Sequence, residues 1–89
     1  MINLDQYVWV VSGSQRTAVV RVLTHPMTPT QTFKKAKEIN EKMSLNSTSD
    51  VLRLLVKKGI AKCLNPADKR GRLYELTYEG KEIQQKLLI

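Results

Sequence analysis

The sequence has one cysteine, Cys63, and one histidine, His25, among its 89 residues. A lone thiol excludes an intramolecular disulfide scaffold and suits a reducing cytoplasm. With a single histidine beside it, a metal site has no ligand set. Four glycines, none grouped, leave no Gly-rich phosphate loop. No Ser–His–Asp set is suggested, so neither catalysis nor a cofactor is expected. Long apolar runs are missing as well. The longest near the start, Tyr7 to Val11, spans five residues, follows Asp5 rather than a basic stretch and ends in Ser-Gly. That reads as no signal peptide, and it is far short of the roughly 20 residues of a membrane-spanning helix.

Acidic residues are also scarce. Eight Asp and Glu face fifteen Lys and Arg, a net charge of +7 that favours a polyanionic partner. The excess sits mid-chain, because residues 34–62 hold eight of the cations and only three of the acids. A hydrophobic share of 42% with 26% charged residues is that of an ordinary soluble domain. At this length the chain reads as one domain, residues 1–89, with a thin core and its function on the outside.

Three helix starts are written in the sequence. Ser12-Gly13-Ser14-Gln15 reads as a capping box ahead of an apolar stripe of Ala18, Val19, Val22 and Leu23, stopped by Pro26. Thr28-Pro29-Thr30-Gln31 repeats the signal with Pro29 at the first helical position. It opens a helix with Phe33, Ala36 and Ile39 inward and Lys34, Lys35 and Lys37 outward. Asn40 to Asn46 reads as a turn plugged by Met43 and Leu45. Ser47-Thr48-Ser49-Asp50 reads as a third box, starting a helix that ends at Lys57-Lys58-Gly59. On that helix Thr48, Val51, Leu52, Leu55 and Val56 share one side. Asn46, Ser49, Asp50, Arg53 and Lys57 share the other.

Beyond Gly59 the period changes. Ile60 to Leu64 and Arg72 to Thr77 are β-prone runs around a tip from Asn65 to Gly71, a hairpin with Tyr74 and Leu76 on one face. Thr77 then caps a helix from Tyr78 to about Leu88, with Ile83 and Leu87 inward. The opening segment, Asn3 to Val11, is β-branched and aromatic and fits either an edge strand or a helix.

This order is α+β and mainly helical: a three-helix core, a β-hairpin and a C-terminal helix. Ser47 to Ile60, with Leu64-Asn65-Pro66 and the stretch Arg70 to Gly80, resembles the winged helix-turn-helix family, particularly the small MarR-like regulators of archaea and their viruses. Residues 12–88 carry the resemblance. It implies a sequence-specific, double-stranded DNA-binding transcriptional regulator whose third helix enters the major groove. One departure is Asp50, on the outward face where that family often carries a polar or basic side chain.

Side-chain chemistry can be matched to that expectation. Arginine binds guanine O6 and N7 in a bidentate manner, and asparagine does the same to adenine N6 and N7. Asn46, Ser47, Ser49, Asp50 and Arg53 are therefore the candidate base contacts. Thr30, Lys34, Lys35, Lys37 and Lys57, with Lys69, Arg70 and Arg72 of the wing, are candidates for the DNA backbone or a minor groove.

Plainer readings stand beside each. The lysines are a solvated helix face, Arg53 pairs with Asp50 three residues away, Asp50 is an N3 carboxylate of its cap, and the wing cations serve solubility. Tyr7 and Trp9 either cover the edge of the core or, with Leu87-Leu88-Ile89, pair with a second copy, a homodimer being expected. A protein-interaction module within a larger nucleic-acid-processing assembly is the alternative function. RNA is a weaker variant, because base stacking would rest on Tyr7, Trp9 or Tyr78.

Overall fold

A computed structural model describes residues 1–88. Among them are five helices and two strands: α1 (Leu4–Val11), α2 (Ser14–Val22), α3 (Pro29–Ile39), α4 (Leu45–Lys57), β1 (Ala61–Cys63), β2 (Tyr74–Leu76) and α5 (Tyr78–Leu87). The mainly helical α+β order is the one expected, a winged helix-turn-helix with α4 as its third core helix.

The ambiguous opening segment is helical. Asn3 caps it, its Oδ1 accepting from the Gln6 N–H at 3.0 Å, and Asp5 sits in the first turn where the helix dipole favours an anion. The edge that another strand would have used is already taken. Met27 and Tyr74 exchange both backbone hydrogen bonds, at 3.0 and 2.9 Å, on the outer side of β2.

The expected cap at Ser12 is overturned. Ser12 closes α1, its N–H and its hydroxyl both donating to the Val8 carbonyl, the hydroxyl at 2.6 Å. Its oxygen is thereby committed to the preceding helix, and Gly13 becomes the α2 N-cap without side-chain help. The box at Thr28 is borne out, with Gln31 reaching back to the Thr28 N–H at 2.9 Å and Pro29 at the helix start.

The third box starts three residues earlier than expected. Ser44 caps α4, its Oγ accepting from the Ser47 N–H while the Ser47 Oγ accepts from the Ser44 N–H. This register lets Thr48 bury completely and donate its hydroxyl to the Ser44 carbonyl at 2.8 Å. Thr32 repeats the arrangement on Thr28 in α3. Ile39, expected inward, is exposed, and buried Thr32 takes its place on the inner face with Ala36. Met43 plugs the turn as expected, whereas Leu45 is exposed as the first residue of α4.

The core gathers Val10, Val19, Leu23, Leu52, Leu55, Ile60 and Ile83 at the junction of α1, α2, α4 and α5. Val56, expected among them, is exposed. Each such side chain withdrawn from water stabilises the fold by about 1.5–3 kcal/mol before chain entropy is set against it. Gln84, buried in α5, donates its Nε2 to the Val20 and Leu23 carbonyls at 2.8 and 3.2 Å, fastening α5 to the end of α2. At Gly59 a φ of +77° ends α4 in the left-handed conformation and turns the chain into β1. β1 and β2 are antiparallel with Ala61 opposite Leu76 and Cys63 opposite Tyr74, so Tyr74 and Leu76 do face the core.

Candidate nucleic-acid interface

Three structural pieces converge on one open cleft of about 460 Å³: the start of α3, the outer side of α4 and the wing. Its lining includes Thr30, Ser49, Arg53, Lys69, Arg70 and Arg72. Among the described residues no acid lines it, so Lys69, Arg70 and Arg72, with Arg53 paired to Asp50 at the edge, focus positive potential on a concave surface. At the same place the Thr30 N–H, in the first turn of α3, is left over by the capping box, and the dipole adds positive charge there.

The outer side of α4 presents Asn46, Asp50, Arg53 and Lys57, all exposed, with Ser49 half-buried at the cleft wall. Arg53 donates from Nη2 to Asp50 Oδ1, forming the ion pair that the three-residue spacing suggested. Asp50 is therefore no part of the helix cap. The α4 cap is completed by Ser47, whose hydroxyl is held among the Ser44 N–H, Oγ and carbonyl. Asn46 is exposed on the same side of α4 as Arg53.

The wing is organised by Asn65, whose part sequence reasoning missed. Its Nδ2 donates to Asp68 Oδ2 at 3.0 Å and to the Gly71 carbonyl at 3.1 Å, while its Oδ1 accepts from the Leu73 N–H at 2.7 Å. One side chain thus ties both arms of the loop. Arg72, half-buried, donates Nε to the Asp68 carbonyl at 2.6 Å, and Gly71 turns at a φ of +65°. Lys69 and Arg70 are left exposed at the tip. The available signal was the Asn65-Pro66 dipeptide, a turn initiator, together with an amide able to satisfy several backbone groups at once.

The remaining candidates lie outside the cleft. Lys34 and Lys35 line a shallow hollow with His25, Met27 and Gln31, on the next stretch of α3. Lys37 faces a separate groove that contains Glu38 and Glu41, with its Nζ 5.4 Å from the centre of the Phe33 ring. Lys57 is exposed in the last turn of α4, at the end remote from the α3 start.

No family model and no curated protein matches the chain. Solved structures do. Wild-type MarR from E. coli in its apo form is similar at 26% identity and a TM-score of 0.57, over 94% of this chain and 62% of that one. The reduced form of MarR from E. coli is similar at 26% identity and a TM-score of 0.58, over 96% and 64%. The fold is that of MarR. The chain spans somewhat under two thirds of MarR's length. Over the shared part, the chain has the winged-helix fold that the resemblance implied. Both structures are of the E. coli protein, so the archaeal and viral side of the resemblance stays an expectation.

Proposed function

We propose that the chain is a single-domain, sequence-specific transcriptional regulator that binds double-stranded DNA. The observation that carries this reading is the acid-free cleft in which Arg53 of α4, the α3 start and the wing cations meet. A major groove about 12 Å wide admits one α-helix, with its N-terminal side chains towards the base edges. Asn46, Ser49 and Arg53 occupy that position on α4, on the first three turns of the helix. Lys69, Arg70 and Arg72 follow the flanking backbone or an adjacent minor groove, and Lys34, Lys35 and the Thr30 N–H meet phosphates of the opposite strand. Lys57 reaches backbone only at the far end of the groove, and Lys37 adds to the general field.

The exposed apolar residues of α4 do not form the single patch that a protein-interaction module needs. Leu54 lies on the flank opposite Leu45 and Val56 at about 100° per residue. The resemblance to MarR and an exposed apolar stripe on α1 both support a homodimer. Two copies of α4 about 34 Å apart on one face of DNA would read a near-palindromic site.

Selection of bound duplexes from a random pool, followed by anisotropy titrations over a range of salt, tests this reading. With Lys34, Lys35, Lys69, Arg70 and Arg72 on phosphates, log K against log salt should slope about −4 to −5 per protomer. Arg53→Ala should cost about 1–3 kcal/mol on the selected site and relax its base preference, whereas Lys35→Ala should weaken all duplexes alike. An Arg53→Ala chain with its preference intact would show that α4 is not the reading helix.

A further inference from the structure

Asp50 is the one acid in α4, and it stands on the face that would meet a polyanion. On a surface selected only for affinity to phosphate it would be a defect. It is not there for the helix cap, which Ser44 and Ser47 complete between them. Nor does it support the core, because its side chain is 63% exposed and that of its partner Arg53 is 65% exposed. An ion pair so open to water contributes little to folding. Its effect is on Arg53.

Arg53 shares its cleft with Lys69, Arg70 and Arg72, and three like charges push its guanidinium towards the only carboxylate on its helix. One donor nitrogen, Nη2, is engaged with Asp50 Oδ1. A guanidinium has five N–H groups, so enough remain for two parallel bonds to a guanine edge. The pairing changes which acceptor Arg53 prefers. A phosphate attracts a free guanidinium mainly through net charge, and the Asp50 carboxylate cancels most of that advantage. Guanine O6 and N7 attract it through two directed hydrogen bonds, which partial neutralisation leaves in place. Fixing the side chain beforehand also lowers the conformational entropy lost on contact.

From this geometry we infer that Asp50 is the specificity-determining positioning residue of the interface. It holds Arg53 off the phosphates and aims it at guanine. The inference rests on the DNA-binding reading above and deepens it. It assigns to Asp50 a part played through Arg53 and against raw affinity.

The experiment measures binding of the full chain to its selected duplex and to a scrambled duplex of equal length, over a salt series, for the unaltered protein and for Asp50→Ala, Asp50→Asn, Asp50→Glu, Arg53→Ala and the double variant Asp50→Ala with Arg53→Ala. Asp50→Ala and Asp50→Asn should bind scrambled DNA several-fold more tightly, on the order of one more neutralised phosphate, with the salt slope steeper by about 0.9. Preference for the selected duplex should fall about tenfold, the scale of one lost bidentate base contact. Asp50→Glu, which keeps the carboxylate, should retain the preference within about twofold, and with Arg53 removed the Asp50→Ala change should have no further effect on it.

Unchanged preference in Asp50→Ala, or an equal loss with and without Arg53, overturns the assignment and leaves the DNA-binding reading standing. Failure of the unaltered chain to bind or discriminate duplexes overturns both. A merely structural part for Asp50 would shift the unfolding midpoint and weaken both duplexes equally, and that result also overturns it.

Discussion

Gly80 is bare because the β1 entry occupies the space a side chain would need. A Cβ there would lie 2.1 Å from the Ile60 carbonyl oxygen, which already accepts from the Thr77 N–H and hydroxyl at 3.0 Å each. Backbone on both sides leaves little room to yield. Gly80→Ala should therefore lose about 1–3 kcal/mol of stability in urea unfolding. Gly71→Ala, with open space around it and only a φ of +65° against it, should lose about 1 kcal/mol. Equal losses would mean that the α5 start is looser than it looks.

The reason for Gly80 could not be read locally, since the obstructing atom lies twenty positions earlier in the chain. Thr28, Pro29 and Gln31 were legible because a capping box is closed by its own neighbours. Ser12 misled for the converse reason: a hydroxyl between two helices can serve either, and the α1 carbonyl at Val8 claimed it.

At the scale of elements, α4 shows how one register shift redistributes chemistry. The expected start pairs Ser47 with Asp50, and the structure starts the helix three residues earlier, pairing Ser44 with Ser47. Helix formation at the earlier one returns the buried Thr48 hydroxyl to a carbonyl and leaves Asp50 free to meet Arg53. Periodicity could not choose between starts three residues apart, because both keep Val51, Leu52 and Leu55 inward.

The hairpin was legible as alternation. The ties that shape its tip were not, since they depend on where one amide side chain points. Asn65→Ala removes three of those hydrogen bonds from an exposed loop. Amide exchange at Leu73 should accelerate at least tenfold, while global stability falls by only about 1 kcal/mol. Protection at Leu73 equal to that of the unaltered chain would show that strand pairing alone holds the wing.

At the scale of the whole molecule, the body measures 34 × 28 × 18 Å, and its charged cleft and its bare apolar stripe sit on different elements. The stripe is Leu4, Val8 and Val11 on α1, which are 68%, 56% and 43% exposed at helical spacing, with Leu88 exposed at the other end of the chain. Charge segregation was legible from counting alone. The stripe was legible only as an excess of apolar residues, because whether α1 was strand or helix decided which of them would face out. Val8→Asp should leave the monomer fold intact, Val8 lying outside the core. In sedimentation it should shift the proposed homodimer to monomer, and binding to a palindromic duplex should weaken by tenfold or more. A dimer that persists in Val8→Asp would place the seam elsewhere.

Trp9, on α1, meets α2 and the end of α4. Arg16 lies 4.6 Å and Lys58 5.4 Å from the centre of its ring, and the Gln6 amide beneath donates to the Lys58 carbonyl at 2.7 Å. It is also the single tryptophan of the chain. The protein thus has a built-in optical gauge at the junction between α1 and the end of α4, and a tilt of either rod would register as a change in indole emission without any added dye.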